Sequence, residues 1–467
     1  MTILENNEFV KEIERQLDRK APVRLGINKK NELVRLIYEI CRRDGRSSGE
    51  VLGSVGKDLM LEENRGCFFE KIKTRLLWMR YPSLESGFDV HLLPIKIQRY
   101  QRECCPGSSC SEPENIFVEE DVKEHEWTKK FLSFFPGSKV TTVKSFSEGV
   151  KSLSRMDHVE KYNGRRKNFF LIRGKDAFVK ICPCTKGYKR CGYWILNLGF
   201  GCPIDCSYCF LQSYSNSPGL ILPANIDDYL ECLEKLDCEV KEKVRIGTGE
   251  FTDSLALDKY TGYSSVLIPF FEKMKNLVLE LKTKVSDIEG VLREDPHDNV
   301  VISWSVNDES IAEIYEKGGS AMESRIDAAE RAAIRGYKVG FHFDPIVYFR
   351  GWEKRYKAAV EGIFSRDALR RNTSWVSLGT LRYTPGLKQV AEQRFADNMI
   401  YYNGEFFEDT DGKLRYTREL RADMYRKMAK WLRAGCKSSW IYLCMEPEEV
   451  WKKASLTEMD YASYLAS

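Results

Sequence analysis

The chain has 467 residues, with 73 lysines and arginines against 69 acids and a formal charge of +4, so it exceeds one ordinary hydrophobic core and its net charge neither demands nor excludes a polyanionic partner. It lacks a run of about 18 apolar residues to span a bilayer, and the opening Met1 to Glu8 is acidic where a secretory signal is basic and then apolar, which gives the expectation of a soluble, cytoplasmic protein without a membrane partner. Fifteen cysteines, odd in number and unevenly spread, suit metal ligation in a reducing compartment better than a disulfide framework.

In chain order, residues 1–102 read as a helical extension. Leu33, Leu36, Ile37, Ile40 and Cys41 fall on one face at helical spacing, and Phe68, Phe69, Ile72, Leu76 and Leu77 suggest a second amphipathic helix. The cations Arg42, Arg43, Arg46, Lys71, Lys73, Arg75 and Arg80 are expected on solvated helix faces. Residues 103–113 form a linker rich in proline, glycine and serine, whose Cys104, Cys105 and Cys110 have no fourth metal ligand nearby. Residues 114–176 read as a small α/β domain, with strands at Ile116 to Val118 and Lys139 to Val143 around a helix from Asp121 to Phe134. The basic run Arg165, Arg166, Lys167 with Phe169 and Phe170 fits equally a nucleic-acid contact and a strand with one wet face.

From residue 177 to 400, six apolar strands alternate with helices: Trp194 to Leu198, Val244 to Ile246, Leu277 to Leu281, Val300 to Val306, Lys338 to Phe343 and Trp375 to Leu378. Such alternation builds a parallel sheet covered by helices and curled wholly or partly into a barrel, with ligands at the C-terminal strand ends. Residues 401–467 read as a C-terminal cap with a hairpin at Asp411-Gly412, a helix from Glu419 to Arg433 and a strand from Trp440 to Leu443. The loop after the first barrel strand carries Cys202, Cys206 and Cys209, spaced C-x3-C-x2-C. Three thiolates in one tight loop can hold three irons of a 4Fe-4S cluster, leaving the fourth iron open to a small molecule. Upstream, Cys182, Cys184 and Cys191 form a candidate auxiliary cluster or metal site, with Cys444 as a further ligand, against the plainer reading of buried thiols.

The C-x3-C-x2-C loop with Tyr208 before its last cysteine resembles the radical S-adenosylmethionine (SAM) enzymes. Cys206-Ser207-Tyr208-Cys209-Phe210-Leu211-Gln212 is similar, more narrowly, to the cluster loop of the spore photoproduct lyase family, and the likeness runs from about residue 114 to about 390. The resemblance implies a partial (β/α)6 TIM-like barrel of radical SAM type, a 4Fe-4S cluster and S-adenosylmethionine as cofactors, an external electron donor such as flavodoxin or ferredoxin, and a pyrimidine nucleobase in DNA as substrate. By the same resemblance Gly247, Gly249, Glu250 and Asp253 after the second strand, Lys284 after the third and Ser305 after the fourth are expected at S-adenosylmethionine. Tyr208 and Glu250 are expected to take part in the radical chemistry. His342 and Asp344 after the fifth strand, and Arg382 and Tyr383 after the sixth, are placed at the ligand-facing ends.

Two positions depart from the family. It returns hydrogen through a cysteine and a tyrosine, and at those positions this chain carries Glu250 and Phe210. A carboxylate and a phenyl ring do not readily donate a hydrogen atom to a carbon radical, so the final step is expected to differ. Two other readings stay open at the level of sequence: a radical SAM enzyme acting on a peptide or small metabolite, and a zinc-bound nucleic-acid-binding protein without catalysis.

Overall fold

The computed structural model describes residues 3–56, 64–84, 90–98, 112–153, 156–175, 178–436 and 439–456. Its contacts divide the chain into two compact units: Met1–Cys104 with Val347–Arg350 and Leu381–Leu420, and Cys105–Ile346 with Gly351–Thr380 and Arg421–Ser467. The linker cysteines Cys104, Cys105 and Cys110 lie outside the described residues.

In the first unit the helices Ile3–Lys20, Ile27–Asp44, Ser48–Ser54 and Arg65–Arg80 pack around one apolar core. Leu33, Leu36, Ile37, Ile40 and Cys41 all enter it, with Phe68, Phe69, Ile72 and Leu76 opposite, because apolar residues three and four apart share one helix face. The helix Ile27–Asp44 stops at Gly45, whose φ of 67° lets its N–H reach the carbonyl of Cys41. The same core holds a buried ion network that periodicity does not announce. Glu39 accepts from Arg35 Nε at 3.0 Å, Arg80 Nε at 3.1 Å and Lys388 Nζ at 2.6 Å, while Glu392 takes the other end of Arg35. Arg80, expected on a wet face, is instead buried beneath the network. Arg382 and Tyr383 also belong to this unit, as a short strand paired with Leu414–Arg415, and Tyr383 is buried against Tyr401 and Phe406.

The second unit contains two sheets. The smaller is wholly parallel, in the order Lys139–Val143, Asn115–Glu119, Asn168–Ile172, Leu220–Pro223. Its third strand is the aromatic half of the basic run, with Phe169 and Phe170 buried, and its fourth follows the cysteine loop. The larger sheet has the six expected barrel strands in parallel: Trp194–Leu196, Val244–Gly247, Leu277–Thr283, Val300–Ser305, Lys338–Ile346 and Thr373–Thr380. One further strand lies at each edge. Trp440–Leu443, read from sequence as part of a cap, pairs in parallel with the sixth barrel strand, and Val179–Ile181 pairs antiparallel with the first.

Inside the barrel Glu280, on the third strand, is fully buried and accepts from Ser303 at 2.6 Å, Trp375 at 2.8 Å and His342 Nε2 at 2.7 Å. Burial opposes its ionisation, but Arg245 and His342 hold the carboxyl well below the usual carboxylate range. His342 is therefore a member of the barrel's interior polar network, and burial pushes its imidazolium pKa down.

Removing the charge of Glu39 leaves three buried cations facing one carboxylate. Glu39→Gln is expected to destabilise the first unit by about 3–5 kcal/mol, read as early loss of helical signal in urea; a change under about 1 kcal/mol contradicts a stabilising network.

Candidate active site

The loop from Gly201 to Gln212 has little regular structure of its own, so its shape comes from what grips it. Gly201, at φ 93°, turns the chain into Cys202 where a residue with a side chain is strained. Asp205–Cys206 then forms a two-residue antiparallel ladder with Glu316–Lys317, and Ser207 N–H donates to the carbonyl of Tyr315 at 2.8 Å. Below the loop, Arg165 is fully buried. Its Nε donates to the carbonyl of Cys202 at 3.0 Å, and its Nη2 donates to Ile204 O and to Asp205, each at 3.1 Å. The Gln212 side-chain amide closes the far end by donating to the carbonyls of Cys206 at 3.2 Å and Ser207 at 2.9 Å.

A second grip comes from Glu316. It accepts from the Tyr208 hydroxyl, from Lys284 Nζ at 3.2 Å and from Arg325 Nη1 at 2.5 Å. Burial opposes the charge on Glu316, yet Lys284 and Arg325 outweigh it and hold its pKa at about 2. Tyr208 thus points its hydroxyl at a carboxylate, and burial followed by that negative neighbour keeps the phenol protonated.

Cys202, Cys206 and Cys209 are drawn together by these grips: Cys206 feels the charge of both other thiols, and Cys202 that of Cys209. Burial raises the pKa of all three, while Lys284 opposes the shift at Cys206 and Cys209 and Arg165 opposes it at Cys202 and Cys209. Among the described residues no three His, Cys, Asp or Glu side chains surround a single point as for one metal ion. A cluster asks for something else, since each thiolate takes its own iron and the sulfurs stand further apart. Three sulfurs on one gripped loop, with two cations against them, fit that donor set.

The strand ends around the loop place the other expected residues. Gly247 and Gly249 are required by close packing: a Cβ on Gly247 falls 2.6 Å from the carbonyl of Glu280, and one on Gly249 falls 2.9 Å from Lys282 Cβ. Asp253 lies within electrostatic reach of Cys202. Its carboxylate accepts from the N–H groups of Leu255, Ala256 and Lys284 and from Thr283 Oγ1, which pins the loop to the third strand. Lys284 lies 5.9 Å from the Tyr208 ring centroid. Ser305 is buried at the end of the fourth strand, where its carbonyl accepts from Arg325. Glu250 sits near Lys282, a cation that burial disfavours but that Glu250, Glu280 and Asp344 hold in its charged form.

Beside the loop stands an aromatic group made of Phe200, Phe210, Tyr214 and Phe251, with ring centroids 5.9–6.5 Å apart. Phe210 is 41% exposed and Tyr214 61% exposed, unusual for rings of this size.

A family model described as spore photoproduct lyase matches residues 111–434, well over half of the chain. The chain belongs to the spore photoproduct lyase family. Among curated relatives, spore photoproduct lyase of Clostridium acetobutylicum is 27% identical over 248 residues, covering 53% of this chain and 72% of the relative. That of Bacillus subtilis is 22% identical over 299 residues, covering 63% and 85%. Among solved structures, spore photoproduct lyase complexed with dinucleoside spore photoproduct superposes with a TM-score of 0.62 at 20% identity, covering 72% of this chain and all of that one. A double mutant with bound AdoMet and dinucleoside spore photoproduct gives 0.61 at 20% identity over 73% of this chain. These likenesses are of fold, and they agree with the partial barrel expected for a radical SAM enzyme of this family. The helices before residue 111 lie outside the family match.

Arg165, Glu316 and Arg325 were not legible as site residues. Arg165 was hidden in a basic run, and Glu316 had no local signal because its partners lie far away in sequence. Arg165→Met leaves two buried carbonyls without a donor, at about 1–3 kcal/mol each. The iron content of the anaerobically reconstituted chain is expected to fall at least about fivefold; near-normal iron contradicts a clamping role.

Proposed function

We propose that the chain is a radical SAM enzyme that holds a 4Fe-4S cluster on Cys202, Cys206 and Cys209 and acts on a pyrimidine nucleobase in DNA, for repair or modification of a lesion. The observation that carries this reading is the gripped three-thiol loop at the strand ends of a parallel partial barrel. With the cluster on these thiols, S-adenosylmethionine bound and an electron from a donor such as flavodoxin or ferredoxin, the site would supply 5'-deoxyadenosyl radical chemistry there. The chain's own residues do the positioning. Arg165 and Glu316 keep the loop in one shape, and Lys284, beside Cys206, offers a cation to the methionine carboxylate. Glu250 offers a carboxylate to the methionine ammonium, with Gly247, Gly249 and Ser305 forming the strand-end walls. Asp253 holds the 248–256 loop through four bonds within the chain.

The exposed rings favour a nucleobase over a peptide. Exposed aromatic rings next to a reactive centre offer faces on which an unpaired base can stack, since a base has an aromatic face whatever its sequence. The relatives point the same way, since they are named spore photoproduct lyases and one is complexed with dinucleoside spore photoproduct. The route by which hydrogen returns to the product is expected to differ from theirs, because Glu250 and Phe210 stand at the relay positions. Tyr208 does not replace the relay as it stands, with its hydroxyl donated to Glu316.

Cys206→Ala is expected to abolish 5'-deoxyadenosine formation from S-adenosylmethionine under dithionite; persistent product refutes the cradle. Glu250→Gln is expected to weaken S-adenosylmethionine binding about tenfold, in line with loss of a charged hydrogen bond worth about 1.5–3 kcal/mol, with iron content near normal. Unchanged affinity removes the role given to Glu250. For the substrate, the reduced enzyme is incubated with DNA deuterated at thymine and carrying the photoproduct, and deuterium is expected in 5'-deoxyadenosine. Label arising instead from a peptide or metabolite pool, with none from DNA, overturns the nucleobase reading.

A further inference from the structure

The segment between the edge strand Val179–Ile181 and the first barrel strand carries three thiols that the radical chemistry does not use. Cys182 follows the edge strand directly, and Cys184 and Cys191 lie within nine residues of it. The opposite edge of the same sheet, Trp440–Leu443, also ends directly in a cysteine, Cys444. The two edges are tied by a backbone hydrogen bond from Lys189 N–H to the carbonyl of Glu446, and Lys189 Nζ lies 5.1 Å from the Trp451 ring centroid.

Three observations bring the sulfurs to one place. Cys182 and Cys184 Sγ are 3.8 Å apart, too far for a disulfide at about 2.05 Å and equal to the edge of a tetrahedron whose metal–sulfur bonds are about 2.3 Å. Cys182 and Cys191 lie within electrostatic reach of Cys184, and Cys182 also feels Cys191. Cys191 Sγ accepts from Arg245 Nη2 at 3.5 Å, and Arg245 Nη1 donates to the Tyr442 hydroxyl at 2.8 Å. Cys444 stands two residues before Glu446, whose carbonyl accepts from Lys189 N–H in the segment that carries Cys184 and Cys191, so the two thiol-bearing segments meet there.

We infer that Cys182, Cys184, Cys191 and Cys444 form a structural site for one tetrahedral zinc ion that clips together the two free edges of the partial barrel. Four thiolates and no open position make a site of the structural kind, distinct in donor count and in place from the three-thiol cluster loop. In the present arrangement Cys191 is held by Arg245, and among the described residues no three ligands yet surround one point. Binding therefore requires Cys191 to exchange the guanidinium for the metal. The segment that must move is not part of the sheet ladder between Cys182 and Tyr193, so the rearrangement breaks no strand pairing.

The test separates this site from the cluster by removing the cluster. The full chain carrying Cys202→Ala, Cys206→Ala and Cys209→Ala is expressed with zinc and iron both supplied, and its metal content is measured. About one zinc per chain is expected, falling at least about tenfold when Cys182→Ser and Cys184→Ser are added. Cobalt substituted into the cluster-less chain is expected to show the intense visible absorption of a tetrahedral cobalt–thiolate centre, a readout that does not depend on the folding of the serine variants. A zinc-free chain, zinc unaffected by the serine substitutions, or iron in its place overturns the inference. Since the cluster cysteines are absent throughout, failure here leaves the radical SAM reading untouched.

Discussion

A loop that must present three sulfurs has almost no backbone pairing of its own, and it depends on buried charge to keep its shape. Arg165 supplies donors to two loop carbonyls and to Asp205, while Glu316 gathers Tyr208, Lys284 and Arg325 on the other side. A buried arginine or carboxylate is costly unless every hydrogen-bonding position is used, so each grip is stable only when the loop is in place. That mutual dependence makes the geometry of the thiols a property of residues up to 120 positions away in the chain, as Arg325 is from Asp205.

The barrel beneath is organised by a comparable device. Arg245 lies among the rings of Tyr193, Trp375, Trp440 and Tyr442, with guanidinium-to-centroid distances of 4.8–5.8 Å, and pairs with Glu280. The arginine links the second barrel strand to the edge strand Trp440–Leu443, and its other end reaches Cys191. Fold and thiol chemistry therefore share one buried cation. In the first unit the pattern recurs independently, with Glu39 at the centre of three cations.

Much of this was legible in advance where the signal is local. Strand boundaries such as Lys139–Val143 and helix boundaries such as Trp352–Phe364 follow from periodicity, and the cysteine spacing by itself pointed to a cluster on a loop at a strand end. Local signals misled where a residue's role comes from a distant partner. Arg80 looked like a surface cation and is buried; His342 looked poised at the ligand-facing end and is bonded into the barrel interior; the strand at Trp440 looked like a cap and extends the sheet.

The sequence by itself determined what depends on spacing along the chain: helical faces, the alternation of strands and helices that makes a parallel barrel, and three thiols close enough to share a cluster. Only the tertiary structure decided which charges are buried against that loop, that Asp253 takes four donors from within the chain, and that Cys182 and Cys444 end the two opposite edges of one sheet. The physical reason is that burial and pairing are set by neighbours in space, and a carboxylate such as Glu316 has the same local sequence signature whether it faces water or holds a catalytic loop.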